Sequence, residues 1–417
     1  MRYFIILTSV FFFVLNGLAQ GGNENKIMNN SAPVINSNNT FNSNSIQGNF
    51  ILADTISTLI IEDQDAELKE VNTTLKKISV KKIDVKNKMR VQEVEKEEVL
   101  KEKNSSNALQ QLNQIQGEIR HQSNQRSPTP QQQFQLNRIV QELKKQDSTS
   151  FEFNLNYYLS GNYNVELKDY LYRAAAQNPT DANVLKQSAA LAVIESDTVE
   201  LLKNLELQVK QGILGSDFIA YGSDLLVSAK PNGTLITHSF EDTYAAMYNQ
   251  LKLNKNKDVV IMNLDFMQSD LYRKKLIEKN YACPSKKLVN TDFLKEFCYL
   301  NSTKSIALSM TLPAEYFLPI QSSLYIQGLV FQFDPTGEYE DRNILIYEDL
   351  LSKNEQKGNL LLVNKLSANY LPMLLQLNNH YKENGNQDKL RKVEKDIEII
   401  GQKTGNQKLI NELKNKE

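Results

Sequence analysis

The sequence predicts an α-rich α/β fold in which helical-repeat layers flank a small parallel βαβ core, preceded by a disordered or coiled-coil N-terminal arm. Three observations predict it. Short apolar runs at 234–238, 258–264 and 305–312 are separated by stretches of helical spacing. Paired amphipathic patterns lie on both sides of them, at 151–211 and 365–413. The first 130 residues, past an apolar leader, are too polar to build a core of their own.

The leader comes first. Met1-Arg2-Tyr3 precedes an apolar run from Phe4 to Leu15, and small residues follow at Gly17 and Ala19. One basic residue, about a dozen apolar ones and a small-residue cleavage site form the pattern of a secretory signal peptide. We therefore expect residues 1–19 to direct export to the periplasm or beyond. The run is shorter than the ~20 residues of a membrane span, and no later stretch is apolar enough to be one, so we expect no transmembrane segment in the mature chain.

Residues 20–50 are rich in Asn, Ser and Gly and read as a disordered spacer. The arm, 51–130, is dominated by charge. Leu68, Val71, Leu75 and Ile78 recur at coiled-coil spacing, and the seam then breaks at Lys82, Gln92 and Lys96. A basic block (Lys76 to Arg90) is followed by an acidic one (Glu93 to Glu98). The arm suits pairing with an envelope protein partner or self-association through 51–125; a solvated marginal helix fits the same residues. Leu109, Leu112, Ile115 and Ile119 share one helical face before Ser127-Pro128-Thr129-Pro130 breaks the chain, and we place the main boundary there.

Residues 131–230 read as helices. Phe134, Leu136, Ile139, Val140 and Leu143 form an amphipathic pattern, and Tyr157, Tyr158, Leu171 and Tyr172 supply bulk. Ala174, Ala175 and Ala176 allow close helix approach. Asn178-Pro179-Thr180-Asp181-Ala182 ends one helix and starts the next, with the Pro suited to a first turn and the Asp to a cap. These residues resemble a tetratricopeptide repeat, which implies stacked helical pairs and a protein-binding surface. The C-terminal region, 336–417, has a similar helix–turn–helix pattern around Asn384-Gly385-Asn386; a helical layer covering a sheet explains both flanks as well.

The α/β core, 231–335, offers the candidate site. Ligands of open α/β sheets sit beyond the carboxyl ends of strands. That edge collects His238, Glu241, Asp242 and Thr243 after the first strand, and Asn263 and Asp265 after the second. Carboxylates beside an imidazole suit a hydroxyl-rich ligand, a cation or acid–base chemistry. Equally, Asp242, Thr243 and Asp265 suit the capping of the helices that follow. Residues 322–333 fit either a strand or a buried helix. No phosphate-binding glycine loop or nucleophilic triad is legible.

Leu235-Ile236-Thr237-His238-Ser239-Phe240-Glu241-Asp242-Thr243-Tyr244, with Asp258 to Leu264 and Asp270-Leu271-Tyr272, resembles the soluble α/β segment that follows the membrane half of bacterial mannosyltransferase-like envelope proteins. Thr237, Asp242, Thr243 and Tyr244 keep that family's pattern, whereas Ser239-Phe240 replaces its Gly-Asp pair. The resemblance implies a shared fold and an envelope location, and it carries no activity.

Composition narrows the function. Lys+Arg 48 against Asp+Glu 49 provides no bulk attraction to nucleic acid. Two cysteines and three scattered histidines (His121, His238, His380) make no metal cluster, and no cofactor is implied. An oxidising compartment allows a Cys283–Cys298 disulfide, though two buried thiols fit equally. Asn38-Asn39-Thr40 and Asn301-Ser302-Thr303 match the short glycosylation pattern. The expectation is a non-catalytic binding or scaffolding protein of the cell envelope. The alternative is a carbohydrate-active or hydrolytic enzyme, or a ligand-binding protein, using the strand-end carboxylates.

Overall fold

The computed structural model describes residues 107–119, 125–286, 288–355 and 365–405. The expected export signal (1–19), spacer (20–50), and arm as far as 106 lie outside the described residues, as do His121 and Asn38-Asn39-Thr40.

Helix α1 (107–119) is followed by α2 (Pro130–Gln146). Thr129 and Gln132 start α2 with a reciprocal cap. The Thr129 hydroxyl accepts from the Gln132 N–H at 3.2 Å, and the Gln132 carboxamide accepts from the Thr129 N–H at 2.9 Å. The Pro128–Pro130 break is thus a helix start. Ala108, Leu112 and Ile115 of α1 pack with Leu136, Ile139, Val140 and Leu143 of α2. Apolar packing therefore crosses the break, and the folded part takes in residues from 107. Phe134, grouped above with the buried face, is 70% exposed.

Helices α3 (Phe151–Ser160), α4 (Lys168–Gln177), α5 (Ala182–Glu195), α6 (Thr198–Lys210) and α7 (Ser216–Ser228) follow. Asp181 caps α5, accepting from the Val184 N–H at 2.9 Å. Pro179 sits in the preceding turn, outside the helix. Leu171, Ala174, Val184 and Leu191 pack with Leu155 and Tyr158. Of the three consecutive alanines, Ala174 alone is buried, and Tyr172 points outward.

The sheet has five strands in the order β2-β1-β3-β5-β4. They are β1 (Thr234–Thr237), β2 (Val260–Asn263), β3 (Ile306–Ser309), β4 (Leu324–Gln327) and β5 (Val330–Phe333). β1 pairs in parallel with β2 (Ile236 beside Met262) and with β3 (Leu235 beside Ala307). The crossover helix α8 (Phe240–Leu251) joins β1 to β2. Two departures stand out. The apolar run at 258–264 forms an edge strand, in which Val260 and Ile261 are partly buried and Met262 and Asn263 fully so. The sheet is also mixed, because within 322–333 the segment from Leu324 to Phe333 folds as an antiparallel hairpin on β3. Gly328, at φ +59°, makes the two-residue turn, and a Cβ there would drive into the Ser228 side chain of α7.

Helices α9 (Asp270–Glu278) and α10 (Thr291–Leu300) lie between β2 and β3 in the chain. Helices α11 (Asn343–Glu355), α12 (Leu371–Glu383) and α13 (Gln387–Thr404) close it. Asn384-Gly385-Asn386 forms the turn before α13, with Gly385 at φ +67° and Asn386 capping the helix. Leu374, Leu377, Val393 and Ile397 belong to the same apolar core as the strands. In this fold the C-terminal helices cover the sheet. The result is a helix-rich α/β protein with a small mixed sheet. Among the described residues no helix is long and apolar enough to cross a membrane.

Candidate functional site

The carboxyl ends of β1, β2 and β3 converge, and Asp242 stands where they meet. It is completely buried in the first turn of α8. One carboxylate oxygen accepts from the Ser239 hydroxyl at 2.8 Å and the Thr243 N–H at 2.7 Å. The other accepts from the Thr311 hydroxyl, beyond β3, at 2.5 Å. Burial pushes the Asp242 carboxyl up to about 6, against the opposing pull of the Thr311 and Ser239 hydrogen bonds. The cap of α8 is Ser239, whose hydroxyl accepts from the Asp242 N–H at 3.4 Å. Thr243, also fully buried, hydrogen-bonds to Thr237 at 2.7 Å and to the Asn263 carboxamide at 2.8 Å. These groups tie three strand ends together.

Asn263 has a second role. Its carboxamide oxygen accepts from the N–H groups of Asp265 (2.8 Å) and Phe266 (3.3 Å), so it caps the turn after β2. The sequence points to Asp265 for that task. Instead Asp265 receives Arg126 through two hydrogen bonds, at 2.6 and 3.2 Å. Arg126 is aligned by a backbone strap. Its own N–H donates to the Val289 carbonyl at 2.8 Å, and Gln125 bridges to Asn290. Glu241 pairs with Lys186 of α5 at 3.3 Å.

His238, directly after β1, is almost fully buried, with Nδ1 lacking a hydrogen-bond partner. Burial, with the nearby Arg126 charge adding to it, holds the imidazole well below its usual range and so neutral. His238, Glu241 and Asp265 line an open cleft of about 620 Å³ between the strand ends and helices α3 and α5. Asp242, Thr243 and Asn263 lie behind its wall. The candidate residues are thus brought together but divided between a lining and a buried support. Arg126, Lys186, Thr311 and Tyr158 complete the arrangement and were not among the candidates. The partners of Arg126, Lys186 and Thr311 lie far away in sequence, so no local spacing marks them.

Cys283 and Cys298 are free thiols, so the disulfide that the sequence allows is not formed. Cys298 is fully buried in α10, and Cys283 donates weakly to the Arg273 carbonyl at 3.7 Å. Burial pushes both thiols up. Asn301, in the glycosylation pattern, is buried and holds Ala282 through both its N–H and its carbonyl, at 2.8 Å each. Its carboxamide is therefore closed to modification in the folded chain. Among the described residues, no three His, Cys, Asp or Glu side chains gather as a metal set.

The fold and this cleft define a helix-rich α/β protein with a concave site at its parallel strand ends. Comparison of the chain with protein-family models, curated proteins and solved structures finds no match.

Proposed function

We propose that this chain is an exported, non-catalytic binding and scaffolding protein of a bacterial cell envelope. Its helical layer, with the tetratricopeptide-like turn at 178–182, presents a surface to a protein partner, and the arm ahead of residue 107 extends the contact. The observation that carries this reading is the commitment of the strand-end carboxylates. Asp242 is bonded to Ser239, Thr243 and Thr311, and Glu241 and Asp265 are each paired with a cation. Groups held this way support the fold and are poorly placed to exchange protons with a substrate. The apolar leader supports export, and the resemblance at 235–276 supports the envelope.

The test is affinity capture from an envelope extract, using the full chain and a chain lacking residues 20–106. The reading expects defined envelope proteins with the full chain and their loss or weakening with the shortened one. Equal recovery by both removes the arm from the proposal. Loss of a measured hydrolytic activity in Glu241→Gln, with stability intact, would replace it with the enzymatic alternative.

A further inference from the structure

We propose that the cleft at the strand ends binds a neutral, hydroxyl-rich ligand, a short uncharged oligosaccharide, through carboxamides and unpartnered buried polar groups on the residues that line it, from the helical layer and the sheet. This goes beyond the scaffolding role and does not depend on any protein partner.

The charge pattern selects against ions. The cationic groups of the lining, Arg126 and Lys186, are matched by Asp265 and Glu241 at 2.6 and 3.3 Å. The remaining carboxylate, Asp181, accepts from the α5 backbone. An anionic ligand would have to break these pairs and lose what they contribute.

The hydrogen-bonding groups tell the same story. Three buried polar atoms on the lining lack a partner: the Tyr158 hydroxyl, His238 Nδ1 and the Gln268 side-chain oxygen. They come from α3, the residue after β1 and the turn after β2. Tyr158 is 1% exposed and His238 5%. Buried polar groups are almost always satisfied, and orphans that converge on one cavity mark groups that a ligand or ordered water completes. An amide oxygen accepts, a phenol does either, and Nδ1 of a neutral imidazole accepts or donates according to its tautomer, so the fitting group is a hydroxyl, which can do both. Asn183, Gln187 and Gln211 add carboxamides to the lining, and among the described residues their side chains have no hydrogen-bond partner. Each offers a donor and an acceptor in one plane, which suits neighbouring hydroxyls of a sugar. The partly exposed Phe240 ring supplies flat apolar surface for its C–H face.

A peptide strand is the weaker fit, because extended peptides add to an open sheet edge. The β2 edge strand contributes no residue to the lining.

The experiment screens the purified full chain on an array of neutral and anionic glycans and then titrates the best neutral hit, as the free oligosaccharide, by calorimetry. Inorganic phosphate and a soluble tetrapeptide are titrated alongside. Neutral glycans are expected to bind, with phosphate and peptide silent. Tyr158→Phe removes only an unpartnered hydroxyl, so the fold should persist; binding should weaken about tenfold, the worth of one well-made hydrogen bond. Gln187→Ala should weaken it similarly with an unchanged melting temperature. Absence of any neutral-glycan hit overturns the proposal. So does undiminished binding in both variants, or preferential binding of anionic glycans, phosphate or peptide.

Discussion

Arg126 and Asp265 stand 139 residues apart in the chain and 2.6 Å apart in the fold. Their side chains are only 10% and 14% exposed. The pair fastens the segment between α1 and α2 to the turn after β2, so the helical layer and the sheet meet at a fixed point beside the cleft. Removing one member of such a buried pair strands the other. Arg126→Ala should cost about 3 kcal/mol of unfolding free energy. Asp265→Asn should cost a similar amount, and the double variant clearly less than the sum. Urea denaturation of the four proteins measures this, and strict additivity would show that the two groups are not coupled.

Asp242 makes stability depend on pH. Its folded carboxyl titrates at about 6, above its ordinary value of 3.8, so the native state holds the proton more tightly than the unfolded chain. Stability from this group is therefore greatest below pH 4 and falls as pH rises through 6. The size is about 3 kcal/mol between those limits. Asp242→Asn keeps the shape without the charge. The variant should match the wild type near pH 4 and gain on it up to pH 7, as read from urea midpoints at each pH. A constant difference between the two proteins would contradict this account.

Gly328 is required twice over, by its positive φ and by the closeness of Ser228. Ser228 is itself committed: its hydroxyl donates to the Asp224 carbonyl at 2.8 Å and accepts from the Leu329 N–H at 2.9 Å. Gly328→Ala should lower stability by about 2–3 kcal/mol through turn strain and overpacking. A thermal melt within one degree of wild type would refute the close approach.

The thiols predict a labelling pattern. Reductant should leave the melting temperature unchanged, since no bond links Cys283 to Cys298. A thiol reagent should modify the half-buried Cys283 slowly and the fully buried Cys298 only in denaturant, where both become available. A shift in peptide mass showing a cross-link in the native protein would overturn it.

Much of the architecture is legible locally. The runs at 234–238, 258–264 and 305–312 do become β1, β2 and β3, with helices α8 and α9 in stretches of helical spacing between them, whereas α10 is not among the helices that the spacing predicts. The antiparallel hairpin escaped because a run such as Leu324 to Phe333 has no polar alternation when both faces are buried, and strand and helix then look alike. The candidate site was half legible. The order of residues after β1 and β2 gathers these groups at one edge, but does not say which of them line the cleft.

Caps illustrate the division. Thr129 with Gln132, Asp181 with Val184 and Asn386 with Lys389 are contacts across three residues, and the chain specifies them wherever it folds. The pairings of Arg126 with Asp265, Lys186 with Glu241 and Asp242 with Thr311 exist only once helices and sheet have packed. Whether a carboxylate is a cap, a buried strut or a cleft-lining group depends on which distant segments exclude water from it. That exclusion is a property of the assembled core, which no short stretch of residues encodes.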